Sequence, residues 1–265
     1  MSAHSMNTRR VLSTVGWPLL FGAVFLALWE AVVQVFDLKP YFLPAPSAIA
    51  EAFVDNVGII WDATYHSGTN AFVGLIAGTV LGIAMSFLLV RFRLMTEIVT
   101  PLAVALNAIP IVVLVTVFLN MYGSTSEVPR RLMVTLIVFF IVLVNVAKGL
   151  QQVHPTHLEL MRSYAASPTA VLLKARIPNA VPYLFTALKI AAPVSVITAF
   201  VAEYFGGRQN GLGYFIPTNF ASARNAVAWG YVLGACLLGL TFYLISIAME
   251  STTRHRRGAA PGGGA

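Results

Sequence analysis

The stretch Gly68-Thr-Asn-Ala-Phe-Val-Gly-Leu-Ile-Ala-Gly-Thr-Val-Leu-Gly-Ile-Ala-Met-Ser-Phe-Leu-Leu-Val90 decides the fold. It holds no charged residue and no strand-like alternation. About 20 mostly apolar residues cross a bilayer core, and backbone groups in lipid must bond within their own segment. The stretch therefore reads as a spanning helix. Working outward, Trp17–Phe36, Ile98–Met121, Leu132–Val146, Tyr183–Ala202 and Trp229–Met249 have the same character. Leu132–Val146 reaches spanning length only if it starts near Arg131 and runs on to Leu150. The expectation is an all-α, polytopic membrane bundle of about six helices. The first block is expected to stay as a span and not to be a cleaved leader, because Asp37, Lys39 and Pro40 follow it instead of a small-residue cleavage pattern.

Composition agrees. The chain has 265 residues, 58% hydrophobic and 10% charged, with mean hydropathy +0.79. Soluble domains carry about 25% charged residues, so a soluble enzyme and a disordered chain are excluded. The lone Cys236 excludes an intramolecular disulfide, a Cys-rich zinc site and a CxxC redox pair. The net charge of +7 suggests nucleic acid until the cations are placed between the apolar blocks, where membrane topology puts them. No nucleic-acid partner is expected.

With the N-terminus inside, the inner segments hold Arg9, Arg10, Arg91, Arg93, Lys148, Arg162, Lys174, Arg176, Arg254, Arg256 and Arg257. The outer segments hold Lys39, Arg130, Arg131, Arg208 and Arg224. That asymmetry predicts both termini inside, with the Arg130–Arg131 pair its weakest point. Residues 1–16 then form a cytoplasmic tail, 17–253 one transmembrane domain with an inner loop over about 147–181, and 254–265 a flexible cytoplasmic end.

Gly74, Gly78, Gly82 and Ser86 recur every four residues, and Gly230 and Gly234 repeat the spacing. Small residues let helices approach where lipid supplies no hydrophobic drive. The strips serve packing within one chain, or a seam between two copies. The ten acidic residues all lie away from the middle of a block, which argues against proton coupling. Lys189 is the one charge well inside a block, and either snorkels toward the inner face or attracts an anionic substrate. Thr116 with Asn120, Ser195 with Thr198, and the single residues Asn107 and Asn145 either line a hydrated path or bond across helices.

The inner segment Lys148–Pro178 is the most informative. Thr156 with Glu159 has capping-box spacing and predicts a helix over 157–166. Ser167 with Pro168 predicts a second helix that ends before Pro178. Leu158, Met161 and Ala165 share one face of the first helix, with Glu159 and Arg162 elsewhere. Such an amphipathic pair is a docking element, or an interfacial helix lying on lipid.

Met161-Arg-Ser-Tyr-Ala-Ala-Ser167 followed by Arg176-Ile-Pro178 resembles the EAA loop of permease subunits of ABC importers. Ala165 occupies the position where that family usually has glycine, so either the turn needs no positive φ or the alanine is mildly strained. Three further stretches are similar to the type I, binding-protein-dependent permeases for nitrate, sulfonate, taurine and pyrimidine-type vitamin precursors. They are Leu43-Pro-Ala-Pro-Ser47, Asn107-Ala-Ile-Pro110, and Ala202-Glu-Tyr-Phe-Gly206 with Gly211-Leu-Gly213. Asn107 departs from the basic residue common there.

The resemblance implies a non-catalytic subunit of the bacterial inner membrane, paired with a second copy or a close relative. Separate ATPase subunits, which use the ATP and Mg, would dock on Glu159, Met161, Arg162, Ser163, Tyr164, Ala165, Ala166, Ser167 and Pro178. An extracytoplasmic binding protein would deliver the solute; Glu203 and Arg208 either contact it or pair with each other. This chain would bind no cofactor.

Other chemistry lacks its residues. No GxxxxGK[ST], GxSxG or HExxH occurs, and Gly206-Gly207…Gly211-Leu-Gly213 follows no strand, so it reads as a turn or re-entrant loop instead of a phosphate cradle. His154 and His157 flank Pro155 without a third ligand nearby, so no metal site is expected. The alternative is an ion-coupled secondary carrier, which would need internal repeats; residues 1–130 and 131–265 show no convincing similarity.

Overall fold

The structure is a computed structural model. It describes the backbone of residues 3–92, 97–99, 101–102 and 109–258, and the side chains of those between 16 and 251. Among the described residues every long element is a helix. These are α1 (Ala3–Val35), α2 (Pro46–Asp55), α3 (Val57–Arg91), α4 (Ile111–Tyr122), α5 (Val128–Gln151), α6 (Pro155–Ser163), α7 (Pro168–Val171), α8 (Ile177–Tyr204), α9 (Leu212–Ala221) and α10 (Asn225–Gly258), with a π turn at Leu172–Arg176.

Five segments are long and apolar enough to cross a membrane: Gly16–Val35, Val57–Arg91, Val128–Gln151, Pro168–Tyr204 and Asn225–Ser251. Of the expected span Ile98–Met121, residues 98–99 and 101–102 are helical and α4 covers Ile111–Tyr122, while 100 and 103–108 lie outside the described residues. Pro110 lacks an N–H and takes φ −56°, ψ 130°, so α4 starts only at Ile111. Its 12 residues reach about 18 Å, short of a core of about 30 Å. Gly74, Gly78 and Gly82 of α3 lie against Val134, Val138 and Val142 of α5 in the same order, so the two helices run parallel. The bundle has five to six candidate spans.

The chain forms two compact units, Met1–Ile60 with Ile216–Leu233, and Trp61–Phe215 with Gly234–Ala265. In the first, α1 continues upstream through residue 16 without a break, so the expected tail is helical from Ala3. The Glu30 carboxylate accepts from the Ser47 N–H at 3.0 Å and from Ser47 Oγ at 2.8 Å. Ser47 follows Pro46 at the start of α2, where helix N–H groups lack partners, so Leu43-Pro-Ala-Pro-Ser47 acts as a helix-start clamp. Gly230 faces Ile60 and Phe53.

The second unit holds the core. Ala71 of α3, Val134, Val138, Val142, Val146 and Leu150 of α5, and Ala180, Ala187, Ala191, Val196 and Ala199 of α8 form one buried cluster. Valine on α5 meets alanine on α8 and glycine on α3, which brings the three axes close without a hydrophobic drive. Half of the α5 residues are buried, so α5 is the central helix of this unit. The strip Gly74, Gly78, Gly82 packs within the chain. Gly234 is buried on α10.

Candidate functional site

The segment between α5 and α8 is a helix–turn–helix clamped at its base. Asn179 donates from Nδ2 to the Gly149 carbonyl at 2.7 Å and to the Gln152 carbonyl at 3.1 Å, which closes the C-terminus of α5 against the start of α8. Tyr183 reinforces this through Gln152 Oε1 at 3.2 Å. Neither Asn179 nor Tyr183 is singled out by the sequence, since their partners lie some thirty residues away.

The first short helix starts earlier than expected. α6 begins at Pro155, capped by His154 in extended geometry (φ −57°, ψ 133°) with no side-chain cap bond. A residue before proline is pushed out of the helical region, and proline at the first position needs no N–H partner. Thr156 is thus already helical, and the expected cap moves to His154. Tyr164 closes the helix, and Ala165 takes φ 49°. The Ala165 N–H donates to the Arg162 carbonyl at 2.9 Å and the Ala166 N–H to the Met161 carbonyl at 3.0 Å. Those two bonds are a Schellman closure, which glycine normally serves. Of the two expectations for Ala165, strain at the alanine is the one the backbone shows.

Ser167 caps α7 by accepting from the Ala170 N–H at 3.3 Å, with Pro168 at the first position. Pro178 does not end this helix. The backbone widens into the π turn, and the Ile177 N–H donates to the Leu172 carbonyl, five residues back. Widening relieves the clash between the Pro178 ring and the preceding turn. α7, the π turn and α8 therefore form one continuous arm, Pro168–Tyr204, from the exposed turn into the membrane core. Glu159, Arg162, Ser163, Tyr164, Ala165 and Ser167 are exposed, while Met161 and Ala166 are half-buried.

At the other end of α8 lies a polar network. Glu203, 2% exposed, accepts from Ser67 Oγ at 2.6 Å, Asn70 Nδ2 at 3.4 Å and the Gly213 N–H at 3.2 Å. The Leu212 N–H donates to Ser67 Oγ at 2.9 Å. A carboxylate thus sits at the N-terminus of α9, where the helix dipole favours it. A Cβ on Gly211 would overlap that carboxylate, and one on Gly213 would meet the Phe200 carbonyl. The Gly-Leu-Gly element is glycine because the chain passes directly over Glu203. Its N–H groups serve a side chain of the protein itself, in keeping with a turn instead of a phosphate cradle.

Arg130 is fully buried and donates from Nη1 to Glu127 Oε2 at 2.8 Å and Asn210 Oδ1 at 2.9 Å, and from Nη2 to the Arg208 carbonyl. Asn70 joins the two halves by donating to Glu127 Oε2 at 3.0 Å. The expected pairing of Glu203 with Arg208 does not form. Arg208 lies 3.8 Å from Glu127, and burial leaves Glu203 no surface for a protein partner, whereas Arg208 stays exposed. Ser67, Asn70, Glu127, Arg130 and Asn210 were not expected here. Only the i, i+3 spacing of Glu127 and Arg130 is a local signal.

Burial pushes the Glu127 carboxyl up, but the Arg130 guanidinium and hydrogen bonds from Asn210, Asn70 and Arg130 outweigh it and hold the group below its ordinary 4.5. A depressed folded pKa contributes stability above the unfolded value that is lost as pH falls through the folded value. Melting of the detergent-solubilised protein should therefore show an acid limb beginning near pH 4.5 that flattens in Glu127→Gln. An unchanged limb in the variant would show that Glu127 contributes nothing to it.

The path candidates separate. Thr116 and Asn120 are exposed on one face of α4, each bonded to its own helix at 2.8 and 2.9 Å. Asn145 is half-buried and bonds to the Ile141 carbonyl at 2.8 Å. Ser195 and Thr198 are buried on α8, and Ser195 Oγ donates to the Ala192 carbonyl at 2.7 Å. Asn107 lies outside the described residues. Lys189 does not stand free: its ammonium meets Glu250 of α10 at 2.8 Å. Among the described residues no group of three or more His, Cys, Asp or Glu is placed to hold a metal.

The family model described as "Binding-protein-dependent transport system inner membrane component" matches residues 78–254. A probable ABC transporter permease protein of Haemophilus influenzae is 29% identical over 201 residues, covering 75% of this chain and 80% of that one. The formylaminopyrimidine transport permease protein ThiX of Halalkalibacterium halodurans is 31% identical over 202 residues, covering 75% and 78%. Permeases named for taurine, aliphatic sulfonates and nitrate are similar at 23%, 26% and 27% identity. Inward-facing structures of the MetNI methionine ABC transporter share the fold, with TM-score 0.61 at 20% identity over 76% of this chain and 97% of that one.

Proposed function

The chain belongs to the family of binding-protein-dependent transport system inner membrane components, and from that premise we propose how it works and what it carries. Membership makes it a multi-pass inner-membrane permease subunit of an ABC importer, non-catalytic and without a cofactor of its own. It implies ATPase and binding-protein partners and sets the ion-coupled carrier aside.

In the proposed mechanism both termini face the cytoplasm, and two copies enclose the path. Burial of Arg130 in its network supports this topology, since the outer Arg130–Arg131 pair was its weakest point. The exposed turn Glu159–Ser167 receives the ATPase. The observation that carries this reading is the continuous arm Pro168–Tyr204. A push at the turn reaches the buried Ser195, Thr198 and Glu203 along one continuous element, the kind of connection that alternating access uses.

The substrate proposed is a small neutral heterocycle of the aminopyrimidine kind, not an inorganic anion. Among the described residues Lys189 is the one cation well inside an expected span, and Glu250 neutralises it. An anion would therefore lack a fixed positive charge along that depth. The ThiX-named relative at 31% identity supports the same class.

The test is ATP-driven uptake in proteoliposomes holding this chain, its ATPase and its binding protein. Aminopyrimidine uptake that needs ATP is the expected result. ATP-driven uptake of nitrate or taurine would overturn the substrate class alone, and uptake driven by an ion gradient without ATP would overturn the whole reading. Arg162→Glu and Ala165→Val should leave ATP hydrolysis running while uptake falls about tenfold or more, the loss of a coupling free energy of about 1–3 kcal/mol. Ala165→Gly, which relieves the positive φ, should keep uptake. Full uptake in both Arg162→Glu and Ala165→Val would remove this turn from the coupling path.

A further inference from the structure

We infer that the chain carries a built-in site for the headgroup of an anionic phospholipid, between the end of α3 and the helix–turn–helix. A cavity of about 650 Å³ there is lined by Arg91 of α3, Arg162 of α6 and Arg176 of the π turn, with Phe87, Val90 and Leu172 as its apolar wall. Among the described residues no carboxylate lines it. Among the described residues none of the three arginines makes an ion pair, and the Arg91 guanidinium rests 5.4 Å from the centroid of the Phe92 ring.

Three guanidiniums around one concavity repel one another until an anion enters. Their forked donors match a phosphate diester, each contributing charge-assisted hydrogen bonds. The place along the chain fits: Arg91 is the last residue of α3 and follows the uncharged run 68–90, where the lipid phosphates are expected. The wall selects the source of the phosphate. Phe87, Val90 and Leu172 pack on the buried α3–α5–α8 cluster and offer an acyl chain a surface continuous with the bilayer. A free phosphate would leave that wall unused. An acidic segment of the ATPase would be drawn to the exposed turn, whereas Arg91 and Phe87 belong to a spanning helix. The lipid would bridge α3 to the coupling arm, so that inner-leaflet composition sets how firmly the arm is held. This inference rests on the membrane assignment and not on the substrate.

The experiment uses the purified full chain in nanodiscs of phosphatidylcholine with or without phosphatidylglycerol. Arg162 is left intact because it lies on the docking turn. Native mass spectrometry should find phosphatidylglycerol retained over phosphatidylcholine, with retention falling about fivefold per arginine removed in Arg91→Gln and Arg176→Gln. Thermal melting should rise with phosphatidylglycerol in the wild type and not in the double variant, while melting in phosphatidylcholine alone stays equal and confirms folding. Equal retention of the two lipids, or the same rise with inorganic phosphate, would overturn the lipid assignment. So would loss of ATPase co-purification by Arg91→Gln in phosphatidylcholine alone, which would make the cavity an acidic-peptide site.

Discussion

Gly78→Leu is expected to abolish accumulation of folded protein. A Cβ at Gly78 would lie 2.6 Å from the Thr135 carbonyl oxygen, 2.7 Å from Val138 Cβ and 2.9 Å from the Phe139 nitrogen. Two of those atoms are backbone, so no rotamer change makes room; α3 and α5 must separate. Gly82 is held alike, with Val142 Cβ at 2.8 Å and the Phe139 carbonyl at 2.9 Å, and Gly74 abuts the Val134 side chain. Overpacking costs about 1–3 kcal/mol where side chains can yield. With backbone on the far side, about 3 kcal/mol or more is expected here. Separation would also open the valine-to-alanine contacts of α5 with α8. Fluorescence-detected size exclusion after mild solubilisation reads the result. Gly239→Ala is the control, since nothing lies within 4 Å of its Cβ. Gly78→Ala combined with Val138→Ala should not recover fully, because the Thr135 carbonyl stays in the way. A Gly78→Leu protein eluting as wild type would show that α3 and α5 are not in close contact.

Arg130→Ala should cost about 3 kcal/mol, because removing one member of a buried ion pair strands the other. Three links are lost together: Glu127, Asn210 Oδ1 and the Arg208 carbonyl. The cost falls at the lower end of the range because Glu127 keeps 16% side-chain exposure. The loop 205–211 would lose its anchor to α5, while Glu203 would keep Ser67 and the Gly213 N–H. Proteolysis at 205–211 should therefore accelerate before the bundle itself melts. Arg130→Lys preserves the charge but not the fork, so it should restore less than half of the loss. Wild-type proteolysis and melting in Arg130→Ala would show that the network does not hold this loop. The same variant bears on transport, since the loop lies at the end of the arm whose other end is the proposed ATPase dock.

The spans, the helix–turn–helix and the family were legible in the sequence because each rests on a local signal. An uncharged run such as 68–90 can only be a helix in lipid. Ser167-Pro168 starts a helix by capping chemistry that reaches three residues. The Gly74–Gly82 strip declared a close approach, though not its partner. Where the reading went astray, competing local chemistry was the cause. Pro155 took the helix start from Thr156, and the π turn carried the chain through Pro178.

The rest was not legible because it joins residues far apart in the chain. Glu203 with Ser67 spans 136 positions, and Lys189 with Glu250 spans 61. Arg130 looked like a surface cation contrary to the topology, and its burial among Glu127, Asn210 and the Arg208 carbonyl exists only once α5 and the 205–211 loop are packed together. Sequence alone determined that this is a helical membrane permease, because hydropathy, capping and turn chemistry act over a few residues. Tertiary structure alone decided which charges are spent inside the protein and which remain to meet a ligand, because neutralising a charge in a low-dielectric interior depends on a partner that only folding brings within about 3 Å.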